Sequence, residues 1–89
     1  MKSDIKQKAL RRLKILEGQV RGLQRMVADE KYCIDIIIQS LAIKHALSGM
    51  EDLILQNHLA THVVEQVKAG KSDRAAKEIL AIYKLSKTK

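Results

Sequence analysis

The chain of 89 residues has no proline, no phenylalanine and no tryptophan, and only one cysteine. A single cysteine cannot close a disulfide within the chain, so the fold is expected to do without one, as in a reducing compartment. The opening residues, MKSDIKQKALRR, lack the apolar core of a signal peptide. No apolar run reaches the ~20 residues needed to cross a bilayer. Together these set the expectation of a cytoplasmic protein without a membrane partner. Proline and large aromatics being scarce while Ala, Leu, Ile, Val, Lys and Gln abound, the composition favours helices over a sheet and sets the fold class as all-α. Residues 1–89 are read as one domain, too small to bury more than a modest core, which points to oligomerisation or metal for added stability.

Acidic charge is also in short supply, 10 Asp and Glu against 17 Lys and Arg, for a net charge of +7. The excess is not evenly spread. Residues 1–31 hold nine basic and four acidic side chains, residues 32–67 one and four, and residues 68–89 seven and two. Basic ends flanking an acidic middle fit the electrostatic footprint of a nucleic-acid binder, although basic ends also occur on proteins that are merely soluble.

The periodicity predicts three helices. In the first, Leu13, Leu16, Val20, Leu23 and Val27 recur in steps of three and four, and the opposite stripe reads Arg11, Lys14, Gly18, Arg21 and Arg25. Gly18 and Gly22, each costing about 1 kcal/mol relative to alanine inside a helix, point to close approach of another helix or of a phosphate backbone. "ADEK" at 28–31 breaks the pattern, which resumes near Tyr32 and runs to about Lys68 before Gly70 as C-cap. Ser72 and Asp73 are expected to cap the last helix, with Ala76, Ile79, Leu80 and Tyr83 on its inner face.

The middle helix carries the decisive pattern. Ile34, Ile37, Leu41, Met50, Leu53, Ile54, Leu59 and Val63 make one stripe, while Ile36, Ile38, Ile43, Leu47, Leu55 and Val64 fill much of the remainder. A helix apolar nearly all round must be covered nearly all round. At 1.5 Å per residue it would extend roughly 55 Å, more than two short flanking helices can wrap. A second copy of the chain is the economical cover. His58 and His62, at i and i+4, share a face as two helical metal ligands would. Cys33 lies roughly 37 Å away along the same helix, too far for one ion within one chain. Two such helices packed antiparallel about a two-fold axis would bring Cys33 of one beside the histidines of the other. A histidine pair at this spacing is more often surface decoration, and a lone cysteine more often a small core residue, so spacing leaves the metal site open.

Three stretches together carry a resemblance that covers essentially the whole chain. "RRLKILEGQVRGLQRMV" at 11–27, "YC" at 32–33 and "NHLATH" at 57–62 resemble, in order and spacing, the motifs of the CsoR/RcnR family of copper-, nickel/cobalt- and formaldehyde-sensing repressors. The resemblance implies a three-helix protomer with a long central helix, an antiparallel helical-bundle dimer, and a disc-shaped dimer of dimers. It implies a repressor of metal efflux or detoxification genes that binds double-stranded operator DNA and lets go when its effector binds between subunits. Carried over position by position, Cys33, His58 and His62 would be the metal ligands, and Tyr32 and Glu78 the groups that support the liganding histidine. Arg12 matches a basic residue important for operator binding, with Lys8, Arg11, Lys14 and Arg21 extending the basic surface.

Within that family a histidine at the position of His62 resembles the nickel/cobalt sensors, whereas copper sensors carry cysteine there. One thiolate fewer disfavours soft Cu(I), so Ni(II) or Co(II) is put first, with Cu(I) or Zn(II) behind. The N-terminal Lys2, Ser3 and Asp4 depart from the nickel/cobalt pattern, which has a histidine near the N-terminus. Lys2 and His62 depart from the formaldehyde sensors. Cu(I) or formaldehyde responsiveness is the alternative within the family, and a non-regulatory metal-binding scaffold the alternative outside it. An enzyme is not expected, because no general base or cleft-forming loop accompanies the Cys/His/His set.

Overall fold

The computed structural model describes residues 1–87. Their elements are α1 (Ser3–Ala28), α2 (Cys33–His58), a π-helical turn (Leu59–Val63), α3 (Val64–Lys68) and α4 (Ser72–Ser86). The α2, π and α3 segments run on without a break as one helix, Cys33–Lys68. The three-helix, all-α expectation holds, with both breaks where the sequence put them.

Each break is built by the same hydrogen-bond pattern. After α1, Lys31 N–H donates to Met26 C=O at 3.0 Å and Glu30 N–H to Val27 C=O at 3.1 Å. After α3, Lys71 N–H donates to Gln66 C=O at 2.7 Å and Gly70 N–H to Val67 C=O at 3.1 Å. Both are Schellman closures, whose penultimate residue must take a left-handed conformation. Gly70 does so at φ 77° without penalty, whereas Glu30 does so at φ 51° with a Cβ in place.

The start of α4 differs from expectation. Ser72 is already its first helical residue, Lys71 holds the N-cap position, and no side chain caps the helix. Asp73 remains in the first turn, where its charge complements the helix dipole.

The chain divides into two compact units, Met1–Leu55 and Gln56–Lys89. In the first, α1 folds back along α2. Arg12 lies as far before the turn as Gly49 lies beyond it, and the Arg12 guanidinium sits 3.2 Å from where a Cβ on Gly49 would stand. The side chains of α1 that are at least partly covered, Ile5, Ala9, Leu16, Gln19, Leu23 and Met26, follow one stripe of alternating fours and threes whose vacant step falls on Arg12. The expected stripe shares Leu16 and Leu23 with it, but Leu13, Val20 and Val27 are exposed. In the second unit α4 packs on α3. Ala75 is 4% exposed, and Glu78 and Ile79 are half-buried, whereas Ala76, Leu80 and Tyr83 face outward. The expected inner face of α4 is thus rotated by one residue, about 100°.

Burial is thin. Ala9, Leu16 and Ala75 are the buried apolar residues among those described, and none of the large ones is fully covered. Along α2, Ile34, Ile37, Ile38, Leu41 and Leu47 are exposed. The helix Cys33–Lys68 is, by length and composition, long and apolar enough to cross a membrane, with a mean hydropathy of 1.2 over its best window. That corrects the expectation that no run reaches this length. The expectation misjudged a helix in which Lys44, His45, Glu51 and Asp52 are spaced among long apolar stretches rather than ending them. Lys44 and Asp52 would each cost about 2.5–3.5 kcal/mol near a bilayer centre, and Glu51 adds to that, which favours protein as the covering phase.

Candidate metal centre and nucleic-acid face

Cys33 is the first residue of α2 and is exposed. Tyr32 precedes it, and its carbonyl accepts the helix's first hydrogen bond, from Ile36 N–H at 3.2 Å. The Tyr32 ring is also exposed. Both residues belong to the first unit.

His58 closes α2 in the second unit, and His62 lies within the π-helical turn that follows. The wider turn accompanies a hydroxyl that bonds back along the chain: Thr61 Oγ1 donates to the Asn57 carbonyl at 2.7 Å. Such single-turn π segments are frequent at functional sites. The two imidazoles remain on one face, their ring centroids 5.3 Å apart and their planes tilted by 33°.

The outer nitrogens already have neighbours. His58 Nε2 stands 3.9 Å from Glu78 Oε2, and His62 Nδ1 stands 4.0 Å from Glu65 Oε2. Both separations are longer than a hydrogen bond. Glu78 is held from its other side, its Oε1 accepting from Arg74 Nε at 3.0 Å. The half-buried carboxylate therefore links the His58 ring to α4. Neither Arg74 nor Glu65 was singled out in the sequence, though both sit at the helical spacings, i to i+4 with Glu78 and i to i+3 with His62, that would have flagged them.

Among the described residues no group of three or more His, Cys, Asp or Glu converges to hold a metal. One chain supplies two neighbouring imidazoles in one unit and a thiol in the other. As donor chemistry, one thiolate and two neutral imidazoles suit a borderline or soft transition metal.

The five basic candidates all lie on α1 and are exposed. They do not form a single stripe. At about 100° per residue, Arg12 stands on one flank, Lys8 and Arg11 in the middle, and Lys14 and Arg21 on the other flank, about half the circumference in all. Arg21 is tied to Glu17 by a salt bridge of 2.8 Å, which trims the net charge on its side. A Cβ on Gly18 or Gly22 would meet, within 4 Å, only an arginine side chain of the same helix, at 4.0 and 3.9 Å, so among the described residues no second helix approaches them that closely.

Against known proteins, a family model described as "Metal-sensitive transcriptional repressor" matches residues 5–85. The copper-sensing transcriptional repressor CsoR of Bacillus subtilis is 38% identical over 73 residues, which are 82% of this chain and 72% of that protein. The copper-sensing repressor CsoR of Mycobacterium ulcerans is 32% identical over 84 residues, 94% of this chain and 72% of that one. Among solved structures, the copper-sensing repressor CsoR with Cu(I) from Geobacillus thermodenitrificans NG80-2 superposes with a TM-score of 0.90 at 33% identity, covering 99% of this chain and 92% of that one. These relatives are named for copper, so they favour the copper alternative over the nickel or cobalt put first from the sequence. With the family match spanning nearly the whole chain and the fold shared with a repressor of known structure, the chain belongs to the metal-sensitive transcriptional repressors.

Proposed function

We propose that this chain is a copper(I)-responsive repressor that assembles with copies of itself, binds operator DNA and leaves it when metal is bound. The observation that carries this is the division of donors. His58 and His62 stand together as a pair, Cys33 stands exposed at a helix start, and among the described residues no group of three or more His, Cys, Asp or Glu forms around the pair. A second chain, antiparallel to the first along α2, completes the set by placing Cys33 of one protomer against His58 and His62 of the partner subunit. Each dimer then has two such sites, and the exposed isoleucines of α2 are covered at the same time. A dimer of dimers of this kind is the proposed full assembly, with residues 1–89 acting as one functional domain.

A Cu(I) ion bound there would supply a thiophilic centre that draws the three donors together. The protein's part follows from its own contacts. His58, His62 and the partner chain's thiol would hold the ion, with Nε2 of His58 facing Glu78 at 3.9 Å. Glu78, shared between that ring and Arg74, would couple occupancy of the site to α4. Tyr32, beside the thiol, is the second group proposed to steady that ring, from the neighbouring protomer. On the DNA side Lys8, Arg11, Arg12, Lys14 and Arg21 meet phosphates, and sequence preference comes through DNA shape. Release of the operator would free genes for efflux or detoxification of the metal.

A second reading, Ni(II) or Co(II), is favoured by one feature. His62 offers an imidazole with the Glu65 carboxylate 4.0 Å away, a harder donor set than two thiolates. One titration separates the two readings. The reduced protein is titrated with Cu(I) against a chromophoric chelator and with Ni(II) by its thiolate charge-transfer band, with operator affinity measured at each end point. Tight Cu(I) binding at one ion per chain, with loss of DNA affinity, supports the copper reading. DNA release by Ni(II) or Co(II) alone replaces copper as the effector. Unchanged DNA affinity with every metal refutes the sensor reading itself.

A further inference from the structure

We propose that Gly49 is a positioning residue for DNA binding, its missing side chain opening a seat on α2 that holds Arg12 ready for an operator phosphate. The inference rests on the DNA reading above and adds to it a residue of another helix.

The stripe of α1 that faces α2 steps from Ile5 to Ala9 and on to Leu16, and the step between them falls on Arg12. An arginine in a core slot has to lay its stem across the facing helix and bring its head out at the flank. Arg12 does so, for the residue itself is exposed while its Nη1 lies 3.2 Å from the position of a Cβ on Gly49. The other two mid-helix glycines are unlike it. A Cβ on Gly18 or Gly22 would meet nothing closer than 3.9 Å, and only a side chain of its own helix. Gly49 is therefore the helical glycine whose open backbone receives a side chain from a different element.

Glycine weakens the middle of a helix, so its presence in α2 calls for a return. The return is orientation. A guanidinium resting on bare backbone has few rotamers left to lose when a phosphate arrives, and its planar fork keeps its aim. A methyl group at position 49 would push the head aside by a few tenths of an ångström, and a longer side chain would fill the seat and turn Arg12 away.

The test uses the full chain and a labelled duplex selected from a random pool by the wild-type protein. Affinity is measured as a function of salt for Gly49→Ala, Gly49→Leu, Arg12→Ala and each double variant. Gly49→Leu and Arg12→Ala should each weaken binding at least about tenfold and flatten the slope of log K against log salt by about 0.9 for each protomer whose Arg12 meets a phosphate. Gly49→Ala should weaken binding less, while its melting midpoint stays at or above that of the wild type, because alanine is the better helix former. Combining either Gly49 change with Arg12→Ala should add no further loss. Wild-type affinity and slope in Gly49→Leu, beside a weakened Arg12→Ala, would overturn the seat and leave the DNA reading standing. A loss from Gly49→Leu that persists in full without Arg12 would show that Gly49 acts through packing, and would overturn it too. An Arg12→Ala variant that binds as wild type would sink the DNA role of Arg12 and the inference with it. Should Gly49→Leu fail to assemble, the Gly49→Ala and Arg12→Ala cycle decides alone.

Discussion

Two variants that are each unable to bind metal should restore binding when their chains are mixed. Cys33→Ala leaves the imidazole pair without its thiolate, and the double change His58→Ala, His62→Ala leaves the thiol without its imidazoles. Among the described residues of one chain no three such donors converge. In a dimer that pairs the two variants, one site therefore recovers all three donors and the other retains none. Random pairing makes about half of all dimers mixed, each with one good site of two, so an equimolar mixture should recover about one quarter of wild-type capacity. The recovered sites contain every wild-type donor and should match wild-type affinity to within about tenfold, or about 1.4 kcal/mol. The assay is to unfold the two variants together in guanidinium with reductant, refold them, and titrate with Cu(I) against a chelator beside each variant refolded alone. Differently tagged chains confirm the mixed dimers by co-purification. Mixed dimers present with no recovered binding would refute the shared site.

Three further outcomes follow from single contacts. Glu78→Gln keeps the size of the side chain that faces His58 and Arg74 but removes its charge. Metal stoichiometry should persist, with affinity about 10–100-fold lower and the metal-induced drop in DNA affinity blunted, as read by anisotropy with and without metal. Glu30→Gly relieves a left-handed residue with a Cβ at φ 51°. The gain, after the added chain entropy of glycine, should be about 0.5–1 kcal/mol, a rise of several degrees in melting midpoint by calorimetry. Ile38→Glu places a charge on a side chain that is 59% exposed in the lone chain. Sedimentation should then show a smaller species, whereas an unchanged mass would remove that face from the interface.

How much of this was legible beforehand depended on whether a signal was local. The helix breaks were, because glycine at position 70 and a lapse in apolar periodicity at 28–31 are properties of a few adjacent residues. The pairing of His58 with His62 was also visible at i to i+4, and it survives the π turn that spacing alone could not foresee. What could not be read was which apolar residues each chain covers for itself. α2 is apolar on most of its circumference, so its pattern does not choose between an intrachain and an interchain neighbour. α1 carries two overlapping stripes that share Leu16 and Leu23, and the sequence favoured the richer one. The structure turns the other inward, with Arg12 in one of its slots and its guanidinium beside Gly49. The same one-residue rotation in α4 leaves Leu80 and Tyr83 outward and brings in Glu78. That is the position from which it can face His58.

The rotations also explain why the core and the site are incomplete together. The chain exposes 7296 Å², against the ~5300 Å² that surface scaling gives for a self-contained protein of its mass. The outward side chains of α1, α2 and α4 make up much of that excess, and they are the surfaces a second copy would cover. In the proposed assembly, folding and metal binding would share one requirement, the arrival of another chain. A thiol and an imidazole pair that meet only across an interface feel any change in how the chains are placed, and by reciprocity their ligation acts back on that placement. A site complete within one chain would bind the ion as well and have no such lever on the assembly that holds DNA.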